Sequence, residues 1–298
     1  MFKPLLYFFF FLFVVGISLR TCSSSSEMEY EEYEEIVTIS VVEEESTEEP
    51  TEESVMIVDT IVTEAETIPN NEVYNYYVTM PYDITSEIVY YTGMVMSFNK
   101  DLHIPNWCAW ELRGEETIAT APKGERYVFD SNVDGCAYSD DYKYSGYDRG
   151  HMVPQADMRW DEEALRCVSL MTNICPQKHE LNNGAWRTLE EKCRKWANID
   201  GSIEIICGPI ISDIEEYIGT TKVAVPKSYF KVIISMEVSS PRGIGFIMPN
   251  EYVNGGMQVC AVSIDSVENV TGYDFFPNIK DEDYIEAQCY FNLWSNLR

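Results

Sequence analysis

Histidine and basic residues are both scarce in this chain of 298 residues. It has 3 His, and its 21 Lys and Arg face 50 Asp and Glu, which gives a formal net charge of −29. Proteins that hold nucleic acid by bulk charge are basic, so this balance excludes that mode of binding. The sequence also lacks any Cys-x-x-Cys pair, which argues against a structural zinc site. A polyanionic substrate would therefore need a local basic groove and a metal ion.

A long apolar run is missing as well. Residues 5–15 are apolar but too few to span a bilayer comfortably, and Lys3 precedes them, which is typical of an export signal. We predict a signal peptide over residues 1–22, so that the protein acts outside the cell or on its surface. Two alternatives stay open, plain cleavage or a bacterial lipoprotein signal in which "LRTC" is a loose lipobox and Cys22 carries a lipid anchor.

Cysteine, by contrast, is well represented. Without Cys22, eight of the nine cysteines remain, and an even number in an exported protein favours disulfides. Eight cysteines allow about 105 connectivities, so the sequence predicts no particular pairs.

The acidic residues are concentrated near the N-terminus. Residues 23–66 contain 16 Asp or Glu and no Lys or Arg, and a run of like charges cannot fold compactly. We predict a disordered acidic tether over residues 23–84 and a folded domain over residues 85–298. Even without the acidic run, residues 67–298 carry a net charge of −15.

Within the predicted domain, β-rich runs bounded by Pro, Gly and Asn indicate strands. These runs are "EIVYYTGMVMSFN", "WCAWEL", "SIEIICGPII", "YFKVIISMEV" and "GIGFIMPN". Residues 182–197 predict a helix, because Trp186, Leu189, Cys193 and Trp196 recur at helical spacing. A second helix is predicted around residues 281–293.

Two stretches carry the residues that could perform chemistry. "YDRGHMVPQADM" (147–158) contains His151, and "MTNICPQKHELNNGAWRTLEE" (171–191) contains amides, cations and carboxylates. Either stretch alone is a weak signal. Together they supply a base, a metal ligand, positive charges and carboxylates within about 40 residues.

This combination resembles the DNA/RNA non-specific endonuclease family, sugar-non-specific nucleases with a ββα-metal finger. The family signature is D-R-G-H, N-x-x-P-Q, L-N-x-G-x-W and L-E, found here at 148–151, 173–177, 181–186 and 189–190. Further segments, from "IPNWCAWEL" to "VSIDSVENVTGYDFF", match in order over about residues 85–296. The resemblance implies an α+β fold of the ββα-metal (His-Me finger) type, with a central antiparallel sheet flanked by helices.

The resemblance also implies roles for the central residues. His151 is the general base, and an ordinary imidazole pKa near 6.5 suits that role. Asn182 is the single protein ligand of a hydrated Mg²⁺, for which Mn²⁺ could substitute. Glu190 lies eight residues further along the same predicted helix, about 12 Å away, so it would hold water around the ion rather than bind it directly.

The remaining motif residues would support these three. Arg149 and Arg126 are candidate phosphate clamps, because a guanidinium matches phosphate oxygens with paired hydrogen bonds. Asp148 would orient the loop or Arg149. Asn173 would orient the imidazole of the general base, and Gln177 would hold the start of the helix or the substrate.

The sequence therefore predicts an exported, metal-dependent endonuclease that hydrolyses DNA and RNA without sequence specificity. The alternative is a surface-displayed binding module that keeps the fold without catalysis. The acidic body favours the alternative, whereas the presence of His151 and Asn182 favours the enzyme. His103 and His179 are predicted to be surface residues. Some members of the family dimerise, so a homodimer is a further expectation.

Overall fold

The computed structural model of the chain describes residues 72–74, 77–122, 126–236 and 241–289. All of them lie within residues 65–298, which cluster as one unit. The predicted signal peptide, the anchor at Cys22, most of the tether and the end of the predicted C-terminal helix lie outside the described residues. Among the helices that are described, none is long and apolar enough to cross a membrane.

Strands predominate in the described part of the chain. They are β1 (Glu72–Tyr74), β2 (Val78–Pro81), β3 (Glu87–Tyr91), β4 (Met94–Asn99), β5 (Ile104–Arg113), β6 (Asp148–His151), β7 (Ile174–Gln177), β8 (Ser202–Pro209), β9 (Ile214–Ile218), β10 (Val223–Pro226), β11 (Ser228–Ser235), β12 (Arg242–Pro249), β13 (Ala261–Val262) and β14 (Asp274–Phe275). The α-helices are α1 (Glu162–Val168), α2 (Arg187–Asp200), α3 (Ile264–Thr271) and α4 (Glu282–Glu286).

The centre of the fold is a seven-stranded antiparallel sheet in the order β13-β12-β11-β8-β5-β4-β3. Every run predicted as a strand contributes at least one strand to this sheet. The run "EIVYYTGMVMSFN" folds as the β3–β4 hairpin, because Gly93 turns the chain at φ +84, where a side chain would be strained. The expectation of an α+β fold with a central antiparallel sheet is confirmed.

Both faces of the central strands of this sheet are buried. Successive side chains of a strand point to opposite faces, and β5 shows this clearly. Cys108 and Trp110 pack with α2 in one hydrophobic cluster, whereas Trp107 and Ala109 pack in a second cluster with residues of α3, α4 and β14. The sheet therefore separates two layers, and the buried apolar residues of the two motif stretches pack on the α2 side.

Helix α2 forms because one face of it is apolar. Leu189, Cys193 and Trp196 are buried at helical spacing, together with Ala197. The helix ends at Gly201, whose φ of +96 no other residue type adopts readily. The helix predicted over residues 182–197 is present, but its first turn, Leu181–Trp186, is π-helical and contains a kink at Gly184.

Strand pairing begins before residue 85, where the sequence predicted that the folded domain starts. β2 pairs with β14 from the other end of the domain, and Val78 and Met80 of β2 are buried. The sequence pattern alone did not reveal β2 because its partner is distant in the chain.

The structure corrects the expectation of disulfides. Each of the eight cysteines from Cys108 to Cys289 is a free thiol, and all except Cys289 are buried. Cys108 and Cys207 face each other across β5 and β8, where they fill the core as small apolar side chains. Burial raises the pKa of the Cys108 and Cys175 thiols well above the ordinary value, so neither is a reactive thiolate.

Candidate active site

Strands β6 and β7 and helix α2 form a ββα unit that carries the two motif stretches. The two strands pair antiparallel, with Asp148 opposite Gln177 and His151 opposite Ile174. Gly150 is required between them, because a Cβ at this position would collide with the side-chain amide of Gln177. Gln177 is fully buried, and its amide has no hydrogen-bond partner among the described residues. Its side chain therefore packs against Gly150 of β6 and makes no hydrogen bond to the described start of the helix.

His151 ends β6 and lines a cleft of about 340 Å³. Its imidazole lies 5.5 Å from the ring of Tyr127, and Trp186 Nε1 donates a hydrogen bond of 3.3 Å to its carbonyl. Its Nε2 is buried, and within the described part of the chain nothing hydrogen-bonds to it. Burial, aided by the positive charge of Arg126, lowers the pKa of His151 to about 4. The imidazole is thus neutral at pH 7 and able to accept a proton.

Asn173 does not orient this imidazole, contrary to the sequence-based expectation. Its Oδ1 accepts from the Val153 backbone N–H at 2.9 Å, and its Nδ2 donates to the carbonyls of Val153 and Val168 at 2.9 and 3.0 Å. A buried amide is stable only when such bonds are made, and here the backbone makes three of them and Cys108 Sγ donates a fourth to Oδ1 at 3.7 Å. Asn173 therefore holds the backbone that follows His151 in place. None of these hydrogen bonds goes to the imidazole ring.

Asp148 has a more specific role than the sequence suggested. Its Oδ2 lies 3.0 Å from Nδ2 of Asn182, which donates to it, and 2.8 Å from Nδ1 of His179. With its nitrogen held in this way, the amide of Asn182 has its oxygen available as a metal ligand. His179 is exposed as predicted, but it contacts the carboxylate that orients Asn182.

Glu190 lies on α2 among buried charges. Burial raises the pKa of Glu190 to about 7, and the nearby carboxylate of Asp157 adds to this rise, whereas the positive charges of Lys231 and Arg194 oppose it. Arg194 pairs with the fully buried Asp157 at 2.8 Å. Lys231 is also buried, with its Nζ 4.4 Å from the centre of the Trp186 ring. The charges of Lys231 and Arg194 therefore favour the ionised form of this carboxyl group.

The two predicted phosphate clamps have different positions. Arg126 lines the cleft beside His151. Arg149 is not among the residues that line it, and its Nε and Nη2 donate to the carbonyl of Ser139 at 3.1 and 2.5 Å. Its guanidinium also lies over the rings of Tyr127 and Tyr142, at 5.4 and 5.7 Å. Arg149 is thus engaged with protein, and Arg126 is the better placed to meet a phosphate.

The cleft combines predicted and unpredicted residues. Its lining is Arg126, Tyr127, His151, Pro154, Gln155, Ala156, Asn182, Arg187, Glu190, Glu191 and Arg194. The sequence missed the two arginines of α2. Arg187 and Arg194 lie three residues before and four residues after Glu190, so helical spacing places them on its side of the helix and could have revealed them. Although the body is acidic, three arginines against two glutamates line this cleft, which is a local excess of positive charge where a polyanion would lie.

Comparison with known proteins agrees with this geometry. A family model described as DNA/RNA non-specific endonuclease matches residues 71–282. The chain is 30% identical over 197 residues to a nuclease of Nostoc sp., covering 62% of this chain and 71% of that protein. It is 29% identical over 215 residues to mitochondrial nuclease EXOG of Danio rerio, covering 66% of this chain and 63% of that one. Bovine mitochondrial endonuclease G is 32% identical over 152 residues, 47% of this chain and 51% of that protein.

A solved structure shares the fold. It is the crystal structure of an EndoG/EndoGI complex, with a TM-score of 0.61, 24% sequence identity, and coverage of 65% of this chain and 87% of that one. The chain spans less than two thirds of the EXOG and endonuclease G relatives named above. Similarity to them therefore concerns the nuclease domain and not their remaining segments.

Proposed function

The chain belongs to the DNA/RNA non-specific endonuclease family, and on that premise we propose that it hydrolyses phosphodiester bonds of DNA and RNA without sequence specificity, with His151 as the general base. The observation that carries the proposal is the neutral imidazole of His151 in a cleft lined by three arginines. A neutral imidazole beside cations is what a reaction between water and a phosphodiester requires.

The proton transfer follows from this arrangement. Water attacks the phosphorus, its proton passes to the imidazole of His151, and the bond from phosphorus to the 3′ oxygen breaks, with the electron pair going to that oxygen. The free imidazole is a weak base, because its pKa is about 4. A negatively charged phosphodiester bound beside it would raise that pKa, since opposite charge favours the protonated form. The base is therefore neutral before the substrate binds and becomes stronger once it has bound.

The residues of the cleft also fit a divalent cation. Asp148 holds the nitrogen of the Asn182 amide, and the oxygens of Asn182 and Glu190 belong to the same cleft. Oxygen ligands of this kind suit Mg²⁺, which keeps most of its water, and Mn²⁺ could replace it. When bound, the ion would neutralise charge on the phosphate and on the departing oxygen. Asn182 would hold it directly, and Glu190 would hold its water.

Plasmid nicking tests the proposal. The wild-type chain should nick supercoiled DNA and degrade RNA in Mg²⁺, EDTA should stop both reactions, and added Mg²⁺ should restore them. His151→Ala should lose at least about 10²-fold in rate, the usual contribution of a general base. His103→Asn is the matched control, because His103 is not among the residues that line the cleft and its φ of +60 suits asparagine.

Two outcomes would contradict the proposal. Full activity of His151→Ala would remove the general base from the mechanism, and activity in EDTA would remove the cation. A wild-type chain that binds nucleic acid without cutting it would instead support the non-catalytic binding module. Circular dichroism of His151→Ala establishes that a loss of activity does not reflect unfolding.

We also propose that the protein is exported, and this part of the proposal rests on the sequence of residues 1–22 alone. Those residues lie outside the described part of the chain. The mass of the mature N-terminal peptide tests this part, since an unprocessed Met1 would contradict it, and a lipid on Cys22 would establish the anchor.

A further inference from the structure

A second cavity, of about 860 Å³, carries exposed aromatic rings on its wall. Phe129 and Tyr138 stack with centroids 4.5 Å apart and planes only 5° from parallel, although they are 40% and 54% exposed. Tyr144 lines the same cavity and is fully exposed. We call these three side chains the aromatic shelf. Aromatic rings gathered at the surface of one cavity cost free energy in water, and such patches usually mark a binding site.

The aromatic shelf is continuous with the catalytic cleft. Tyr127 lines both cavities, and its ring lies 5.5 Å from the imidazole of His151. Arg149 contacts both the cleft side and the shelf side. Its guanidinium lies over the Tyr127 ring, and its Nε and Nη2 donate to the carbonyl of Ser139, the residue directly after Tyr138. The strand that carries His151 thus also positions the aromatic shelf.

The charges around the aromatic shelf exclude another phosphate site. Asp140, Asp141 and Glu216 line its cavity. Lys143 is the single cation among the described residues of that wall, and Asp140 pairs with it at 2.7 Å. A phosphate would meet net negative charge here, whereas a nucleobase is uncharged and presents a π face. Aromatic stacking of bases is tolerant of sequence, as a non-specific nuclease needs.

Stacking on a side chain requires a base whose face is free. In a duplex both faces of each base are covered by the neighbouring base pairs, whereas an unpaired strand can splay its bases onto a protein surface. The occupant that fits the aromatic shelf is therefore an unpaired part of the strand whose phosphate lies in the cleft.

We propose that the aromatic shelf is a nucleobase-binding subsite that stacks unpaired bases of the substrate strand beside the cleft. The inference rests on the proposed nuclease function and deepens it, because it makes single-stranded DNA or RNA the preferred substrate over duplex. The bulk charge of an acidic protein cannot supply affinity for a polyanion. In this arrangement the affinity comes from stacking with the bases of the bound strand.

The test compares strands with and without bases. The full-length His151→Ala chain, which does not cut, is titrated in Mg²⁺ with a fluorescent oligonucleotide and with one of equal length made of abasic residues. We expect the base-bearing strand to bind at least tenfold more tightly than the abasic strand. With Phe129→Ala and Tyr138→Ala added, this ratio should fall towards one.

Two further variants serve as controls. Tyr138→Phe keeps the ring and should keep the ratio, which separates stacking from hydrogen bonding by the hydroxyl group. Tyr82→Ala removes a tyrosine that is 67% exposed and is absent from the lining of both cavities, so the ratio should again be unchanged.

The proposal is overturned if the ratio is near one with the aromatic shelf intact, or if it survives the double substitution. Both results are independent of folding defects, since the first uses an unaltered aromatic shelf and the second requires a protein that binds. Failure of the nuclease function gives a different result. In that case the chain with His151 intact would cut neither DNA nor RNA, while the preference for base-bearing strands would persist.

Discussion

At the scale of single residues, the neighbours of His151 determine the pH range over which it can act as a base. Burial and the charge of Arg126 lower the pKa of His151 to about 4, from an ordinary 6.5. The parameter kcat/KM reports ionisation of the free enzyme, so its acid limb should fall close to pH 4 and well below 6.5. We expect kcat/KM for nicking to be unaffected by this group between pH 7 and about 5.5. A limb centred near 6.5 that persists in Glu190→Gln, which removes a carboxyl group with a pKa of about 7, would show that the imidazole is solvated.

Substitution of Arg126 tests the cause of this shift. Arg126→Gln removes a positive charge that opposes protonation, so the pKa of His151 should rise and the acid limb should move to higher pH. Arg187→Gln is the matched control, because Arg187 lines the same cleft but is not among the causes of the shift. The folded pKa lies below the unfolded one, so this group's contribution to stability is also lost as the pH falls from 6.5 towards 4. Circular dichroism at each pH separates unfolding from titration.

The positions of single residues were more predictable from the sequence than their hydrogen-bond partners. The positions of His151 and Asn182 could be predicted, because their motif spacing places them on β6 and at the start of the helix. The partners of Arg149 and Asn173 could not. Each bonds a backbone carbonyl ten or more residues away, Ser139 for Arg149 and Val153 for Asn173, and a side-chain pattern contains no information about those carbonyls.

At the scale of elements, the strands were more predictable than the short helices. Long β-rich runs stood out because the central strands are apolar on both faces. Helices α1 and α3 have only 7 and 8 residues, too few for periodicity to be visible. Their N-caps were present in the sequence, since Asp161 accepts from two backbone N–H groups of α1 and Ser263 from one of α3. Such caps are common in loops as well, so packing decides which of them begin a helix.

The packing of β6 against β7 explains why the D-R-G-H signature has a glycine at position 150, and this explanation can be tested. A Cβ at Gly150 would collide with the buried amide of Gln177 on the paired strand. Gly150→Ala should therefore lower the free energy of unfolding by about 1–3 kcal/mol, the usual cost of overpacking. Gln177→Ala removes the obstacle, so the cost of Gly150→Ala should be smaller in that background. Urea denaturation of the four proteins in the cycle measures the coupling.

The control for this cycle uses a residue far from the pair. Gly150→Ala combined with Tyr82→Ala should be additive, because Tyr82 is exposed and is not among the atoms that the added Cβ would meet. If the effects of Gly150→Ala and Gln177→Ala are also additive, steric exclusion is not the reason for glycine at this position.

At the scale of the whole molecule, the cysteine count predicted a covalent framework that the fold does not use. The parity of a count carries no information about distance or surroundings. Cys108, Cys175 and Cys207 lie together in the core on three different strands, and all are free. Their role is packing, so stability comes from the two hydrophobic layers of the sheet. The predicted export thus rests on the N-terminal segment and receives no support from disulfides.

The net charge of the molecule leads to a prediction about salt. Residues 67–298 carry a net charge of −15, and the described cations of the cleft are Arg126, Arg187 and Arg194. Arg187 pairs with Glu191 and Arg194 with Asp157, so three phosphate contacts are the most that the cleft can offer. For a single strand this gives a slope of log Kobs against log salt no steeper than about −2. Stacking on the aromatic shelf adds affinity without adding to the slope, because it releases no counterions.

Titration of the His151→Ala chain with an oligonucleotide between 50 and 200 mM salt, at constant Mg²⁺, measures this slope. Glu191→Gln sharpens the test, because it releases Arg187 from its carboxylate and should steepen the slope by at most about 0.7 while tightening binding. The Tyr82→Ala variant, which changes no charge, should reproduce the slope of its parent. A slope of about −5 or steeper would mean that a broad basic surface outside the cleft holds the strand. In that case phosphates would supply most of the affinity, and base stacking would be a minor contribution.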